Sequence, residues 1–312
     1  MIGFDIGGTK CAVSVGEERD GDIAILDKCV IATRHDISPY TILDEMCRMA
    51  EAMTTDYSRI GISCGGPLDS QKGVILSPPN LPGWDRISVC EYLRSRYGGH
   101  VALQNDANAC AVAEWKYGAG KGTQNMVFLT FGSGLGAGLI LNGQLYTGTC
   151  DMAGEVGHIR LADYGPVGYG KAGSFEGFCS GNGIASIGRM LASERLQMGH
   201  AVSYCESMAS LDNITAKSIA EAADNGHEDA KEVYQLSGEM LGKGLSILID
   251  ILNPECIVIG SVFQRSEMLM REAMETVLRR ECLSYAREAC RVVPAALTEQ
   301  IGDYAALSVA AM

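Results

Sequence analysis

The chain has 312 residues, 47% of them hydrophobic, and a formal net charge of −13 at pH 7. This length suits two domains with an ample core, and the acidic balance argues against binding to a nucleic acid backbone. The apolar runs are far shorter than the roughly 20 residues of a membrane-spanning helix, so no membrane partner is expected. A strand pattern from residue 2 predicts that no signal peptide precedes the fold, which makes the cytoplasm the expected location.

Twelve cysteines are present, and no two of them form a Cys-x-x-Cys pair. Most stand in apolar contexts, as Cys256 does in Glu255-Cys256-Ile257-Val258-Ile259. This pattern favours buried, reduced thiols over a disulfide framework or a metal site.

The first predicted domain covers residues 1–117 and opens with two apolar strands around a small-residue turn, Gly7-Gly8-Thr9. Its other predicted elements are a strand near 23–33, a helix at 39–54, a strand at 60–63, a helix near 88–97, a strand at 101–103 and a helix from 107 to about 117. The C-terminal helix, 303–312, is expected to complete this domain.

The second predicted domain covers residues 118–302 and follows a glycine-rich hinge at 118–122. It opens with a second strand–turn–strand pattern around 132–136 and continues into a segment, 154–183, that is mostly loop. Its other predicted elements are helices near 184–197, 216–224, 228–252 and 266–280 and strands at 256–260 and 291–294.

The two strand–turn–strand patterns are the most informative feature of the chain. Turns without side chains let backbone N–H groups approach an anion closely, so each pattern predicts a phosphate-binding hairpin. One hairpin in each half of the chain indicates two related domains that hold one polyphosphate, and ligand binding is expected to close them about the hinge.

Two other nucleotide-binding motifs are alternatives to these hairpins. Residues 132–137 fit the dinucleotide fingerprint Gly-x-Gly-x-x-Gly/Ala, but that fingerprint must open a helix, whereas Asn142-Gly143 predicts a β-hairpin here. A P-loop is absent, because Gly120-Lys121 is followed by Gly122.

Several polar residues are candidates for chemistry. Asp106 follows Asn105 where a strand meets a helix, so it is either a plain helix cap or a general base that the helix N-terminus keeps ionised. Glu155 and His158 stand between glycines and are either incidental loop residues or readers of ligand hydroxyls. Further acceptors or donors in fixed positions are Asn80, in a proline-rich loop, and Glu176.

The order and spacing of these residues resemble those of the bacterial ROK sugar kinases. The motifs that carry the resemblance over essentially the whole chain are Asp5-Ile6-Gly7-Gly8-Thr9-Lys10, Gly65-Gly66-Pro67-Leu68-Asp69, Asn80-Leu81-Pro82-Gly83-Trp84, Asn105-Asp106-Ala107-Asn108-Ala109, Gly132-Ser133-Gly134-Leu135-Gly136, Glu155-Val156-Gly157-His158 and Leu252-Asn253-Pro254-Glu255-Cys256-Ile257-Val258-Ile259-Gly260. The resemblance implies an α/β protein with the two-domain, actin-like ATPase (ribonuclease H-like) fold and an active-site cleft between the domains.

The resemblance also implies a role for each matching residue. Asp106 would be the general base that takes a proton from a sugar hydroxyl, with ATP as the phosphoryl donor and Mg²⁺ near Asp5. The sugar-binding residues would be Asn80, Asn105, Glu155, His158 and Glu176. The nucleotide-binding residues would be Asp5, Gly7, Gly8, Thr9, Lys10, Gly132, Ser133, Gly134, Gly260 and Ser261, although the family usually has a glycine at position 261.

One departure from the family pattern affects a metal site. ROK proteins usually carry Cys-x-Cys-Gly-x-x-Gly-Cys-x-Glu after the histidine, and this chain has Val167, Tyr169 and Ser174 in place of the three cysteines. A structural zinc site needs about four ligands of the thiolate or imidazole kind. The sequence therefore predicts that the protein holds no structural zinc.

The resulting hypothesis is an ATP-dependent sugar kinase, glucokinase-like, that phosphorylates the 6-hydroxyl of a hexose or an N-acylhexosamine. The alternative is a non-catalytic sugar-sensing regulator of the same family. A repressor with a DNA-binding domain and an acyl-phosphate enzyme of the acetate type fit the residues less well. Family members are commonly dimers, so a homodimer is one of the states open to this chain.

Overall fold

A computed structural model describes residues 1–312. Its strands are β1 (Ile2–Ile6), β2 (Lys10–Arg19), β3 (Asp22–Ala32), β4 (Arg59–Cys64), β5 (Leu68–Asp69), β6 (Val74–Ile75), β7 (His100–Asn105), β8 (Met126–Leu129), β9 (Ala137–Leu141), β10 (Gln144–Tyr146), β11 (Val167–Gly168), β12 (Lys171–Ala172), β13 (Cys256–Ile259) and β14 (Arg291–Pro294).

The helices are α1 (Pro39–Met53), α2 (Val89–Tyr97), α3 (Asp106–Tyr117), α4 (Phe175–Phe178), α5 (Gly181–Gln197), α6 (Ala216–Asp224), α7 (Glu228–Leu252), α8 (Val262–Glu281), α9 (Ser284–Ala289) and α10 (Ile301–Ala310). The long helices and buried strands predicted from hydrophobic periodicity are confirmed. The segment predicted as mostly loop contains short elements that periodicity cannot detect, namely β11, β12, α4 and a 3₁₀ turn at Val156–His158.

Two five-stranded mixed sheets repeat one topology. The first has the order β3-β2-β1-β4-β7 and the second the order β10-β9-β8-β13-β14. In the first sheet, β1 to β3 pair antiparallel, and β4 pairs parallel with both β1 and β7. At the corresponding positions of the second sheet, β9 and β10 pair antiparallel and β13 and β14 pair parallel. The repeat inferred from the two glycine-rich hairpins is therefore a repeat of the whole sheet.

Contacts within the chain group it into two compact units. Unit 1 consists of residues 1–128, 138–154 and 296–312, and unit 2 of residues 129–137 and 155–295. The C-terminal helix α10 belongs to unit 1, where it packs on β1, β4 and α3. The domain limits predicted at 117 and 118, and the hinge at 118–122, stay predictions.

The core of unit 1 lies between its sheet and the helices α1 and α2. Apolar side chains of β1 and β4, such as Phe4 and Ile62, are fully buried against residues of α1, such as Leu43 and Met46. Helix α1 begins after Ser38, whose side chain accepts the N–H of Tyr40, and ends where its apolar stripe ends. The sheet that carries the candidate site is thus fixed from one face by this core.

A buried carboxylate joins two distant segments of unit 1. Glu114, in α3, is fully buried and accepts the backbone N–H groups of Ala119 at 2.7 Å, Ala296 at 3.2 Å and Leu297 at 2.8 Å. An ionised carboxylate with several charge-assisted hydrogen bonds is a stable buried group. Glu114 therefore fixes the turn after α3 to the segment that leads into α10.

All twelve cysteines are free thiols, and seven of them are buried. The seven buried cysteines pack in the core, as the apolar contexts predict. None of the helices is long and apolar enough to cross a bilayer.

Candidate active site

The first glycine turn, residues 7–9, joins β1 to β2 as predicted. The Gly7 N–H donates to the Lys10 carbonyl at 3.1 Å, which closes the turn. Thr33, just after β3, holds the turn from outside: its hydroxyl donates to the Gly7 carbonyl at 2.6 Å and its N–H donates to the Thr9 carbonyl at 2.9 Å. These bonds do not use the N–H groups of Gly8 and Thr9, which are therefore available to an anion.

Asp5 lies on β1, two residues before this turn, and is half-buried. Burial raises its pKa to about 7, and the negative charges of Asp106 and Asp303 add to the effect, against the lowering influence of Lys10 and Lys28. Carboxylates that repel one another in this way form an environment that a divalent cation would relieve. Carboxylate oxygens are ligands that Mg²⁺ accepts, and Mg²⁺ near Asp5, which the family resemblance implies, stays a prediction.

Asp106 is the first residue of α3, directly after β7. Asn105 caps the helix, since its side-chain oxygen accepts the Ala107 N–H at 2.9 Å, and the Asp106 carboxylate accepts the same N–H at 2.8 Å. The side chain of Asp106 reaches solvent on its open side. Its position at the strand–helix junction is the predicted one.

The pKa of Asp106 is raised, whereas a helix N-terminus acting alone would lower it. Desolvation by the surrounding protein raises the pKa of Asp106, and the hydrogen bond from Ala107 only partly opposes the rise. The sequence shows the helix N-terminus but not the atoms that surround the carboxyl group. A raised pKa brings the group closer to neutral pH, which suits a general base.

Asn80 lies in a compact loop against the first glycine turn. The loop is held by hydrogen bonds from Leu81 N–H to the Pro78 carbonyl and from Trp84 N–H to the Leu81 carbonyl, and both Leu81 and Trp84 are buried. Gly8 packs so closely that a β-carbon on it would lie 2.5 Å from the Asn80 carbonyl oxygen. In unit 1 the structure therefore brings together Asp5, the first glycine turn, Asn80, Asn105 and Asp106.

The second glycine turn, residues 130–136, joins β8 to β9. Thr130 closes it with both its groups: its N–H donates to the Gly136 carbonyl at 3.0 Å, and its hydroxyl oxygen accepts the Gly136 N–H at 3.0 Å. The turn is followed by a strand and by Asn142-Gly143, both with positive φ, as the hairpin prediction requires. The dinucleotide-binding alternative is thereby excluded, because no helix follows the glycines.

Glu155 precedes a single 3₁₀ turn, Val156–His158, in unit 2, and His158 is the last residue of that turn. Residues three apart in such a turn lie on the same side, and both side chains are exposed. The backbone under them is fixed, since Val156 and Gly157 are buried and the His158 carbonyl accepts the Lys171 ammonium at 2.7 Å. Residues 155–158 therefore form a short platform on a fixed backbone.

Glu176 lies in α4, a one-turn helix capped by the Ser174 hydroxyl. Its Oε2 accepts the N–H of Leu135, in the second glycine turn, at 3.0 Å. The family resemblance implies that Glu176 is a sugar ligand, and the sequence predicts a phosphate site at the turn; the structure adds a direct hydrogen bond between them.

Gly260 and Ser261 follow β13, next to the second glycine turn. The Gly260 N–H donates to the Leu129 carbonyl at 3.0 Å, and the Val262 N–H donates to the Phe131 carbonyl at 2.9 Å. Ser261 has φ 55° and ψ −108°, a conformation that glycine adopts far more readily. This backbone geometry explains why the family pattern has glycine at a position where this chain has serine.

The segment that carries cysteines in the family pattern is held here without thiolates. Val167 and Tyr169 lie in the β11–β12 hairpin with exposed side chains, and Ser174 is buried with its hydroxyl oxygen accepting the Gly177 N–H at 3.1 Å. Valine offers no donor atom, and the Ser174 oxygen already caps α4. These residues and His158 therefore do not fit a tetrahedral zinc ion; zinc-free function stays a prediction.

Sequence reasoning missed the residues that hold the two turns in shape. Thr33 and Thr130 are single threonines in unremarkable contexts, and only the long-range pairing of strands brings Thr33 to the first turn. Asp303 was missed for the same reason: it accepts the Ser14 hydroxyl and the Lys28 ammonium at 2.6 Å each, across almost the whole chain.

This chain is similar in sequence to known proteins of one family. The sequence profile of the ROK family matches residues 1–311. The chain belongs to the ROK family. Glucokinase of Streptomyces coelicolor is 31% identical over 262 residues, which cover 83% of this chain and 80% of the relative. N-acetylmannosamine kinase of Salmonella typhi is 26% identical over 260 residues, which cover 83% of this chain and 81% of that protein.

Solved structures show the same fold. A ROK family glucokinase from Streptomyces griseus, in complex with glucose and AMPPNP, aligns with a TM-score of 0.77 and 29% identity over 98% of this chain and 97% of its own. The fold of this ROK chain is thus the actin-like ATPase fold. A ROK family transcriptional regulator, homologous to the E. coli MLC protein, aligns with a TM-score of 0.84 over all of this chain and 77% of its own; at 24% identity this likeness shows the fold alone.

Proposed function

We propose that this ROK protein is an ATP-dependent sugar kinase that transfers the γ-phosphoryl group of ATP to a hydroxyl, the 6-hydroxyl, of a hexose or N-acylhexosamine. The observation that carries the proposal is Asp106: an accessible carboxylate with a raised pKa at the start of α3, in the same unit as Asp5 and the first glycine turn. A regulator needs no proton acceptor at this point, whereas phosphoryl transfer to a neutral hydroxyl does.

Asp106 would act as the general base. Its carboxylate accepts the proton of the sugar hydroxyl as the hydroxyl oxygen forms a bond to the γ-phosphorus. The bond between that phosphorus and the bridging oxygen of ADP breaks, and ADP leaves with the electron pair. Positioning and charge neutralisation account for most of the rate in phosphoryl transfer, so the rigidity of the β7–α3 junction matters as much as the carboxylate.

The sugar would be bound by donors and acceptors on fixed backbone. Asn80, on the loop packed against Gly8, would supply an amide, and Asn105 would supply its NH₂ group because its oxygen is used in capping α3. Unit 2 would supply Glu155, His158 and Glu176. The mixture of carboxylate, imidazole and amide groups suits vicinal hydroxyls, each of which both donates and accepts.

The polyphosphate would be bound by backbone N–H groups of the two glycine turns, with Thr9, Lys10 and Ser133 adding side-chain donors. Mg²⁺, when bound at Asp5, neutralises charge on the phosphates. Gly260 and Ser261 would lie beside the adenosine, and the strained backbone at Ser261 is consistent with a site where the chain approaches a ligand closely.

The substrate class follows the sugar kinases among its relatives. The glucokinase and the N-acetylmannosamine kinase named above phosphorylate, by their names, a hexose and an N-acylhexosamine. We therefore propose the same two classes for this chain.

A panel assay tests the proposal. Protein, ATP and Mg²⁺ are incubated with glucose, mannose, N-acetylglucosamine and N-acetylmannosamine, and ADP is measured together with the mass of the product. At least one sugar should give stoichiometric ADP and a sugar monophosphate, and ³¹P–¹H correlation should locate the phosphate on C6. Absence of product from a broad panel would contradict the kinase assignment.

The second candidate is a non-catalytic sugar-sensing regulator. It is favoured by one observation: the xylose repressor of Caldicellulosiruptor bescii is 27% identical over 71% of this chain, although the match covers only 54% of that repressor. A regulator would bind sugar in a calorimeter and give no ADP in the panel assay. The kinase proposal expects both signals.

A further inference from the structure

Glu176 lies at the meeting point of the two functions assigned to unit 2. Its Oε2 accepts the Leu135 N–H at 3.0 Å, and a β-carbon on Gly134 would lie 2.7 Å from the same oxygen. The carboxylate therefore rests directly on the second glycine turn. Only the missing side chain at position 134 allows it to do so.

The neighbours of Glu176 keep it in this place. A β-carbon on Gly157, in the platform between Glu155 and His158, would lie 2.1 Å from the Leu135 carbonyl oxygen and 3.3 Å from the Glu176 β-carbon. Phe175, the preceding residue, is fully buried. The second glycine turn, the platform and Glu176 thus form one tightly packed group within unit 2.

The negative charge of Glu176 affects how well the second glycine turn can bind a phosphate. A carboxylate on a glycine turn competes with a phosphate for the backbone N–H groups and repels its charge. A sugar hydroxyl that donates a hydrogen bond to the carboxylate spreads its negative charge and weakens both effects. The turn then binds phosphate better when the sugar is present.

We propose that Glu176 is a positioning residue that couples the sugar to the second glycine turn, so that sugar and nucleotide bind with positive cooperativity. The proposal rests on the proposed kinase function, because it needs both ligands to bind. By thermodynamic linkage, nucleotide must increase the affinity for sugar by the same factor that sugar increases the affinity for nucleotide.

The Glu176→Gln variant tests the role of the charge. Calorimetry gives the Kd of AMPPNP with Mg²⁺, with and without a saturating amount of the sugar that the wild type phosphorylates. The wild type should show a ratio of about 5 or more between the two values. The variant keeps an acceptor for the Leu135 N–H but has no charge, so AMPPNP alone should bind at least as tightly as to the wild type and the ratio should fall below about 2. A merely structural role would instead weaken AMPPNP binding and leave the ratio unchanged.

A matched pair of glycine variants tests the contact. In Gly134→Ala the new methyl group displaces the carboxylate, so sugar affinity without nucleotide should fall about 5-fold or more. In Gly226→Ala, between α6 and α7 and outside the proposed site, an added β-carbon would have no heavy atom within 4 Å, so sugar affinity should match the wild type. If Gly134→Ala does not fold, Glu176→Gln decides alone.

The outcomes separate the two proposals. A wild type that makes product, with an unchanged affinity ratio in Glu176→Gln or equal sugar affinities in the two glycine variants, overturns the coupling and leaves the kinase function standing. A wild type that makes no product from any sugar overturns both.

Discussion

Burial and the negative charge of Asp106 together raise the pKa of Asp5 to about 7. The two carboxyl groups come from different elements, the first strand of unit 1 and the first residue of α3. The fold therefore keeps a repulsive pair at the place where the proposed function needs a cation and a base. Such a pair is a cost to stability that ligand binding can offset.

The pH dependence of stability should report this cost. The usual pKa of an aspartate is near 3.8, so between about pH 4 and pH 7 the folded protein holds a proton at Asp5 that the unfolded chain has lost. The free energy of unfolding should fall as pH rises through this window. Asp5→Asn should be more stable than wild type by a few kcal/mol at pH 8, since one pKa unit corresponds to about 1.4 kcal/mol, and equal to it near pH 4.

Urea unfolding of both proteins without ligands, at pH 4.5 and pH 8, checks this prediction. Asp69→Asn is a suitable control, because the Lys72 hydrogen bond lowers the pKa of Asp69 and its effect should have the opposite sign. Asp5→Asn should also lose most phosphoryl transfer if Asp5 holds Mg²⁺. A variant that is less stable than wild type at pH 8 would contradict the electrostatic account.

Removal of the buried carboxylate at Glu114 should be strongly destabilising. Glu114→Ala removes the hydrogen bonds from the N–H groups of Ala119, Ala296 and Leu297, and a hydrogen bond to a carboxylate contributes about 1.5–3 kcal/mol. We expect a loss of at least about 3 kcal/mol in the free energy of unfolding. Glu221→Ala, at an exposed ion pair with Lys217, should change it by less than about 1 kcal/mol. Equal effects of the two variants would show that Glu114 does not hold these segments.

Replacement of Ser261 by glycine should stabilise the protein. At φ 55° and ψ −108° a non-glycine residue costs about 1–3 kcal/mol, which exceeds the roughly 0.5–1 kcal/mol of chain entropy that glycine adds. Asn253→Gly is the matched control: Asn253 also has a positive φ, 44°, but lies in the left-handed region at the end of α7, where asparagine is well tolerated. Thermal unfolding should show a clear rise for Ser261→Gly only; a fall would mean that the serine side chain stabilises this turn.

The protein should work without structural zinc. Untagged protein should contain far less than one zinc per chain, and a zinc-selective chelator should leave its activity intact with Mg²⁺ in excess. The triple variant Val167→Cys, Tyr169→Cys, Ser174→Cys restores three thiolates beside His158 and should gain about one zinc per chain. Stoichiometric zinc in the wild type, with activity lost to the chelator, would refute this prediction.

Local sequence patterns were sufficient to predict most of the fold. The two glycine turns, the Asn142-Gly143 hairpin and the long helices depend on residues close in sequence, so their signals survive without knowledge of the tertiary structure. Because the glycine turn occurs twice, the sequence also predicted two related domains. The roles assigned to the site residues came from the family resemblance, and they remain proposals.

Features that depend on contacts between residues far apart in the sequence could not be predicted from local patterns. Thr33 holds a turn more than twenty residues before it, and Glu114 binds N–H groups that include one 183 residues away. The raised pKa of Asp106 was missed because desolvation depends on atoms from many segments, whereas the helix N-terminus is visible in the sequence. The bond from Leu135 to Glu176 joins two predicted sites that the sequence treats as separate.

The Asp106→Asn variant tests the central claim most directly. The amide keeps the shape of the carboxylate and can still accept the Ala107 N–H, but it cannot take a proton from a sugar hydroxyl. Turnover of the sugar identified in the panel should fall by about 10²–10⁴, while the Kd of that sugar, measured by calorimetry, stays within a few-fold of the wild-type value. Near wild-type turnover by Asp106→Asn would contradict the account, because the group proposed to accept the proton would then be dispensable.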